Sequence, residues 1–224
     1  VHPSTTFARD HNYETIFSAS YSRDGNPTYD QLETVLATLD GGVGARVFGS
    51  GMAAITTFLQ TIPAGAHIAA PRIMYHGAQD WLRRLVTERG MDLTLFDAAD
   101  PTALAKAVRS GKTALVWIES PVNPTWDVIN VAEAADIAHA AGAILAVDAT
   151  VATPVFLRPL ELGADMVFHS ATKYLNGHSD VLAGVLVSAA DDARWAEISR
   201  LRTLMGGILG PFEAWLLLRG IRTL

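Results

Sequence analysis

The sequence predicts an α/β protein whose mostly parallel sheet has about seven strands and carries helices on both faces. Three observations lead there. Seven short apolar runs alternate with amphipathic stretches of helical spacing, the pattern of strands joined by covering helices. Half of the 224 residues are hydrophobic and only 18% are charged, enough for one large core. Two charged residues, Asp148 and Lys173, directly follow or close apolar runs, and ligands of such sheets bind at the carboxyl ends of the strands.

The elements follow in order. Residues 1–27 are polar and irregular and read as an N-terminal arm, with residues 28–224 as one large domain. Thr28 with Gln31 three residues later has the pattern of a capping box. Leu32, Val35, Leu36 and Leu39 then keep helical spacing until Gly41-Gly42 stops the helix. Strands are expected at Ala45–Phe48, Ala66–Ala70, Asp92–Phe96, Thr113–Glu119, Ala143–Asp148, Met166–His169 and Ala183–Val187. Helices are expected at Gly51–Gln60, Gly77–Arg89, Pro101–Val108 and Val131–Ala141, the last with Asn130 and Glu133 as a second capping box. The C-terminal stretch reads as two helices, Asp191–Thr203 and Phe212–Arg219 after Pro211.

Composition excludes several function classes. Net charge is −6 with no block of like charges, which argues against nucleic-acid and membrane-surface binding. Cysteine is absent, so neither a disulfide framework nor thiolate chemistry is available. The seven histidines are scattered without His-x-x-x-His spacing, and no metal site is expected. No apolar run reaches the roughly 18 to 20 residues of a transmembrane helix. No signal peptide is visible, and the chain reads as cytoplasmic and soluble. Val1-His2-Pro3-Ser4 resembles neither a natural start nor a targeting segment, so a trimmed N-terminus is expected.

The chemistry concentrates in His169-Ser170-Ala171-Thr172-Lys173-Tyr174. Of three lysines, Lys106 reads as a helix's polar face and Lys112 as a turn; Lys173 alone stands where a strand ends. A lysine among small hydroxyl residues suits Schiff-base chemistry with a phosphorylated aldehyde cofactor, pyridoxal phosphate, and a solvated loop lysine is the alternative. Such a site also needs an acid for the pyridine nitrogen, a phosphate cradle and a flat group over the ring. Asp148, after five apolar residues, offers the acid, although taken alone such a residue reads first as a helix cap or loop carboxylate. Ser50-Gly51-Met52-Ala53-Ala54 passes from strand to helix, where glycine admits a phosphate to free amides. Tyr75 could stack on the ring or simply pack. Asn123 could donate to the ring hydroxyl or shape the turn before Pro124. A nicotinamide site is disfavoured, because Gly41-Gly42-Val43-Gly44 precedes the first strand instead of following it.

Four blocks together resemble the Cys/Met-metabolism enzymes, the cystathionine gamma-synthase and gamma-lyase family of fold type I pyridoxal phosphate enzymes. They are Tyr21–Thr28, Ser50–Ala54, Glu119–Thr125, and Val147–Thr150 through Ser170–Tyr174, in matching order and spacing. The resemblance implies the PLP-dependent transferase large-domain fold and the following roles. Lys173 would bind the cofactor covalently and later move protons, and Asp148 would pair with the pyridine nitrogen. Gly51 and Met52 would give amides to the phosphate; Ser170 and Thr172 would give hydroxyls. Thr150 would join the cofactor-binding set. Tyr75 would stack on the ring and assist proton transfer, with Asn123 beside the ring hydroxyl. Tyr21 and Arg23 would reach the phosphate in a neighbouring subunit, which implies a homodimer or homotetramer.

His76, Asp24 and Ala149 depart from residues common in the family. The family also continues into a smaller domain carrying the substrate-carboxylate arginine, and the chain is expected to lack it. The implied activity is sulfur amino-acid metabolism (transsulfuration), first of all gamma-replacement on an O-acylhomoserine. Gamma-elimination by a cystathionine or methionine gamma-lyase is the alternative. A truncated, non-catalytic cofactor-binding fragment is the alternative of another class.

Overall fold

The computed structural model describes residues 1–17 and 19–224. Helix α1 spans Pro27–Asp40 and leads into β1, Gly44–Phe48. Helix α2 (Gly51–Gln60), β2 (His67–Pro71), α3 (His76–Arg89) and β3 (Asp92–Phe96) follow. Then come α4 (Ala103–Ala107), β4 (Thr113–Glu119), α5 (Val131–Ala140) and β5 (Ile144–Asp148). The short α6 (Thr153–Phe156) precedes β6 (Met166–His169) and β7 (Gly184–Ser188). Helices α7 (Ala193–Met205) and α8 (Pro211–Ile221) close the chain.

All seven expected strands form one sheet in the order β1-β7-β6-β5-β4-β2-β3. The five strands β2 to β6 run parallel to their neighbours in that block, while β7 is antiparallel to both β1 and β6. Both faces are covered. One cluster joins Phe58 and Leu82 of the helices to Trp117, Phe168 and Leu186 of the sheet. On the other face, Leu32, Leu36 and Leu217 pack on Val167 and Val185, and Ala134 and Ala138 pack on Val116 and Val147. Continuous burial explains why β4, β5, β6 and β7 are near-unbroken apolar runs instead of alternating ones.

The structure corrects several local expectations. Asn26, not Thr28, caps α1: its side chain accepts from the Thr28 amide and Pro27 occupies the first helical position, where its missing N–H costs nothing. The second capping residue, Asn130, does accept from the Glu133 amide. Helix α4 is shorter than Pro101–Val108 because Asp100 takes both the amide and the hydroxyl of Thr102, holding the start in a turn. Ala183 lies outside β7 because the Thr172 hydroxyl binds its amide and carbonyl, at 3.0 and 3.2 Å. Helix α6 and the 3-10 turn Pro159–Leu162 were not expected. At Gly41 the backbone turns left-handed (φ 72°), as the end of α1 requires. No helix among the described residues is long and apolar enough to cross a membrane.

Candidate active site

A cleft of about 1310 Å³ opens at the carboxyl ends of β4, β5 and β6 and at the start of α2. Gly51, Met52, Tyr75, Asn123, Asp148, Thr150, Ser170, Thr172 and Lys173 all line it. Nine of the eleven expected site residues therefore meet in one place, from segments up to 122 residues apart in sequence. Tyr21 and Arg23 are not in its lining; they sit together on the arm, the Arg23 guanidinium 5.2 Å from the Tyr21 ring centre.

The strand register builds the floor. Asp148 pairs with Glu119 on one side and with Phe168 on the other, so the three side chains project together from the sheet's edge. Burial pushes the Asp148 carboxyl up to about 6, against the pull of Thr150 and of the His169 charge. The Thr150 amide donates to Asp148 Oδ1 at 3.0 Å, while the Thr150 hydroxyl accepts from the Ser170 amide at 2.8 Å. Thr150 thus joins the ends of β5 and β6 and aims Asp148. Beneath, His169 and Asp40 are fully buried and paired at 3.0 Å. Burial alone would lower the His169 pKa, but the charge and hydrogen bond of Asp40, together with the Asp148 charge, outweigh it and leave it raised.

The wall is built from a helix start and two loops. Gly51 and Met52 are the first two residues of α2, so their amides have no intrahelical acceptor. A methyl group on Gly51 would come within 3.3 Å of the Ser170 hydroxyl, so the glycine keeps the space between the two open. A side chain on Gly184 would collide with the Ser50 carbonyl, which fixes β7 hard against the turn. The Tyr75 ring lies over Gly77, where a methyl group would meet it at 2.8 Å and Met52 Sδ at 3.1 Å. His76, the departure beside it, packs its ring 4.8 Å from that of Tyr75.

Lys173 is exposed and its ammonium makes no hydrogen bond or ion pair with the described residues. Thr172, by contrast, already spends its hydroxyl on Ala183. Glu119 was legible in the sequence only as part of a motif. It is buried, and both its oxygens accept backbone amides, from Tyr75 at 2.8 Å and Asn123 at 2.9 Å. Burial, then the Asp148 charge, push it up to about 7 despite these bonds. A signal existed: like Asp148, it is an acid closing an apolar strand.

A phosphorylated aldehyde with a basic ring nitrogen fits this donor set. The free amides of α2 and the Ser170 hydroxyl offer hydrogen bonds to an anion. Lys173 offers an amine, and a buried carboxylate held above its ordinary range is one that a cationic partner would stabilise. A mostly parallel sheet, covered faces and a lysine-and-carboxylate cleft at the carboxyl edge are the arrangement that a pyridoxal phosphate site requires.

The chain belongs to the Cys/Met metabolism PLP-dependent enzymes, whose sequence profile it matches over residues 1–224. Over 204 residues it is 40% identical to a probable cystathionine gamma-synthase of Herpetosiphon aurantiacus, covering 91% of this chain and 63% of that protein. Over 204 residues it is 42% identical to a chloroplastic cystathionine beta-lyase of Arabidopsis thaliana, covering 91% and 44%. Its fold superposes on the cystathionine gamma-lyase of Lactobacillus plantarum, solved with L-serine, at a TM-score of 0.92 and 36% identity, covering 99% and 57%. The chain thus spans less than two thirds of the relatives it matches. Beta-elimination is an activity the sequence reading did not name.

Proposed function

We propose that this chain is the cofactor-binding part of a pyridoxal phosphate enzyme that makes or breaks carbon–sulfur bonds in cystathionine-type amino acids. The carrying observation is the cleft itself: an unpartnered lysine amine, a buried carboxylate and a free helix start converge on it. In this reading Lys173 holds the cofactor covalently, and its amine, once released, takes and returns protons. Asp148, aimed by Thr150, holds a proton on the pyridine nitrogen by its charge. Gly51, Met52 and Ser170 hold the phosphate, and Thr172 joins them by turning its hydroxyl proton away from the Ala183 carbonyl. Tyr75 covers the ring, and Asn123 sits beside the ring hydroxyl. The cofactor, when bound, supplies an electron sink for the carbanion formed at the substrate's alpha carbon. Residues 28–224 form the cofactor domain, and the arm 1–27 carries Tyr21 and Arg23 to a neighbouring subunit in a homodimer or homotetramer.

Among the possible reactions, gamma-replacement on an O-acylhomoserine comes first, supported by the gamma-synthase name of the Herpetosiphon relative. Elimination, gamma or beta, is the second reading, supported by the lyase names of the other two. Products separate them: cystathionine from an O-acylhomoserine and cysteine, 2-oxobutanoate from gamma-elimination of cystathionine, pyruvate from beta-elimination.

The cofactor assignment is tested by adding pyridoxal phosphate, recording the visible band, reducing with borohydride and mapping the modified peptide. A single adduct on Lys173, absent in Lys173→Ala, is the expected result. An adduct elsewhere, or an unchanged band in Lys173→Ala, overturns the assignment.

A further inference from the structure

Two segments of the cleft wall come from opposite sides of β4. Tyr75 lies 44 residues before Glu119 in the loop entering α3, and Asn123 lies four residues after it. Neither amide belongs to the strand ladder. Tyr75 stands at the N-cap of α3, where no side chain caps the helix. The Glu119 carboxylate joins the two segments, one oxygen to each amide, from a site only 5% exposed.

We propose that Glu119 is a positioning residue: a single carboxylate that sets the Tyr75 and Asn123 side chains as one unit against the bound ring. This rests on the reading of the cleft as a pyridoxal phosphate site. The chemistry demands a carboxylate of this length. A glutamine has one acceptor oxygen, and its amide nitrogen would point donors at a backbone donor. An aspartate is a methylene shorter and cannot hold both bonds at 2.8 and 2.9 Å. The remaining ladder of β4 does not depend on the side chain, because its bonds to β2 and β5 run through the backbone. Burying an acceptor-less amide is unfavourable enough to displace a loop, while the intact backbone ladder keeps the sheet folded. The Asp148 side chain projects beside Glu119 from the paired position on β5, so the residue that aims the ring-facing wall shares the floor with the one that meets the ring nitrogen.

The test compares wild type, E119Q and E119D loaded with pyridoxal phosphate. Visible circular dichroism per bound cofactor reports how the ring is held, a signature that a mere loss of stability leaves unchanged. We expect E119Q to lower it at least about twofold and to weaken cofactor binding about tenfold, the equivalent of one lost hydrogen bond. In a Tyr75→Leu, Asn123→Ala background the same substitution should add nothing to either. An undiminished effect in that background, or no effect in wild type, overturns the proposal.

Should E119Q fail to fold, amide exchange in E119D decides. Both the Tyr75 and Asn123 amides should lose protection together while the β4 amides keep theirs. Loss at one alone, or at neither, overturns the proposal. The exchange result stands even if wild type gives no Lys173 adduct, an outcome that would fail the cofactor reading and not the latch.

Discussion

The two ends of the sheet handle their polar groups in opposite ways. At the amino ends of β2, β3 and β4 a cluster of polar groups is spent on one another. His67, nearly buried, bonds the Thr113 hydroxyl at 2.8 Å and the Thr94 hydroxyl at 2.9 Å. Arg109 closes the cluster: its amide donates to Thr113, and its guanidinium to Thr94 and Asp92. At the carboxyl ends, the Lys173 amine and the first amides of α2 face a cleft without such partners. Polar groups that satisfy one another hold a fold together, whereas polar groups left facing a cavity are available to a ligand. Histidines show the same division less simply. His169 is also structural, but it stands under the cleft floor, and its charge bears on Asp148.

The contrast breaks if His67→Ala disturbs the cleft. Removing the ring strips two hydroxyls of a partner and leaves a cavity, at a cost of about 3 kcal/mol at pH 8. Cofactor binding should stay unchanged, because no His67 contact reaches the cleft. Burial, then the Arg109 charge, lower the His67 pKa. The unfolded chain therefore binds the proton more readily, and this histidine's contribution is lost as pH falls below its ordinary value. The cost of His67→Ala should shrink toward pH 5. Urea melts at both values with parallel cofactor titrations check all three statements.

The cleft carboxylates carry the opposite sign. Asp148 and Glu119 are pushed up to about 6 and about 7, so between the ordinary carboxylate range and those values the folded protein holds protons that the unfolded chain releases. Their share of stability is fully present only below the ordinary carboxylate values of about 4 and is lost as pH rises through about 6 and about 7. Asp148→Asn removes one buried charge and the repulsion it exerts on Glu119. The cofactor-free variant should gain about 2 kcal/mol over wild type at pH 8, roughly half of that at pH 5 and little below pH 4, while losing cofactor affinity. An equal difference at pH 8 and below pH 4 would show that burial does not load the pair as described.

Much of this contrast was legible in the sequence, and the division between what was and was not follows range. Asp148 and Lys173 stand out because a charge closing an apolar run is a local pattern, and parallel strands carry such residues to one edge. Gly51 is legible for the same reason, as a strand-to-helix turn. The role of Glu119 needs an amide 44 residues away, and the Asp40–His169 pair joins positions 129 apart. No local pattern holds either. Antiparallel β7 hid among parallel strands because burial on both faces gives it the same apolar sequence. The cap at Asn26 was missed because Asn26 and Thr28 both suit the position, and Pro27 between them decides it.

The finest form of the comparison pairs two hydroxyls. Thr113 gives its oxygen to His67 and to the Arg109 amide, whereas the Ser170 hydroxyl faces the space that Gly51 keeps open. Thr113→Ala leaves buried groups without a partner and should cost about 1–2 kcal/mol of stability with no change in cofactor affinity. Ser170→Ala removes a group that the folded chain does not use internally. It should leave stability within about 0.5 kcal/mol and weaken cofactor binding about fivefold, one hydrogen bond to an anion. Thermal melts of the cofactor-free variants and cofactor titrations give the two numbers for each. If Ser170→Ala destabilised the empty protein as much as Thr113→Ala does, its hydroxyl would belong to the fold and the phosphate cradle would need another donor. If Thr113→Ala weakened cofactor binding, the two ends of the sheet would not be independent, and the closed cluster would belong to the site.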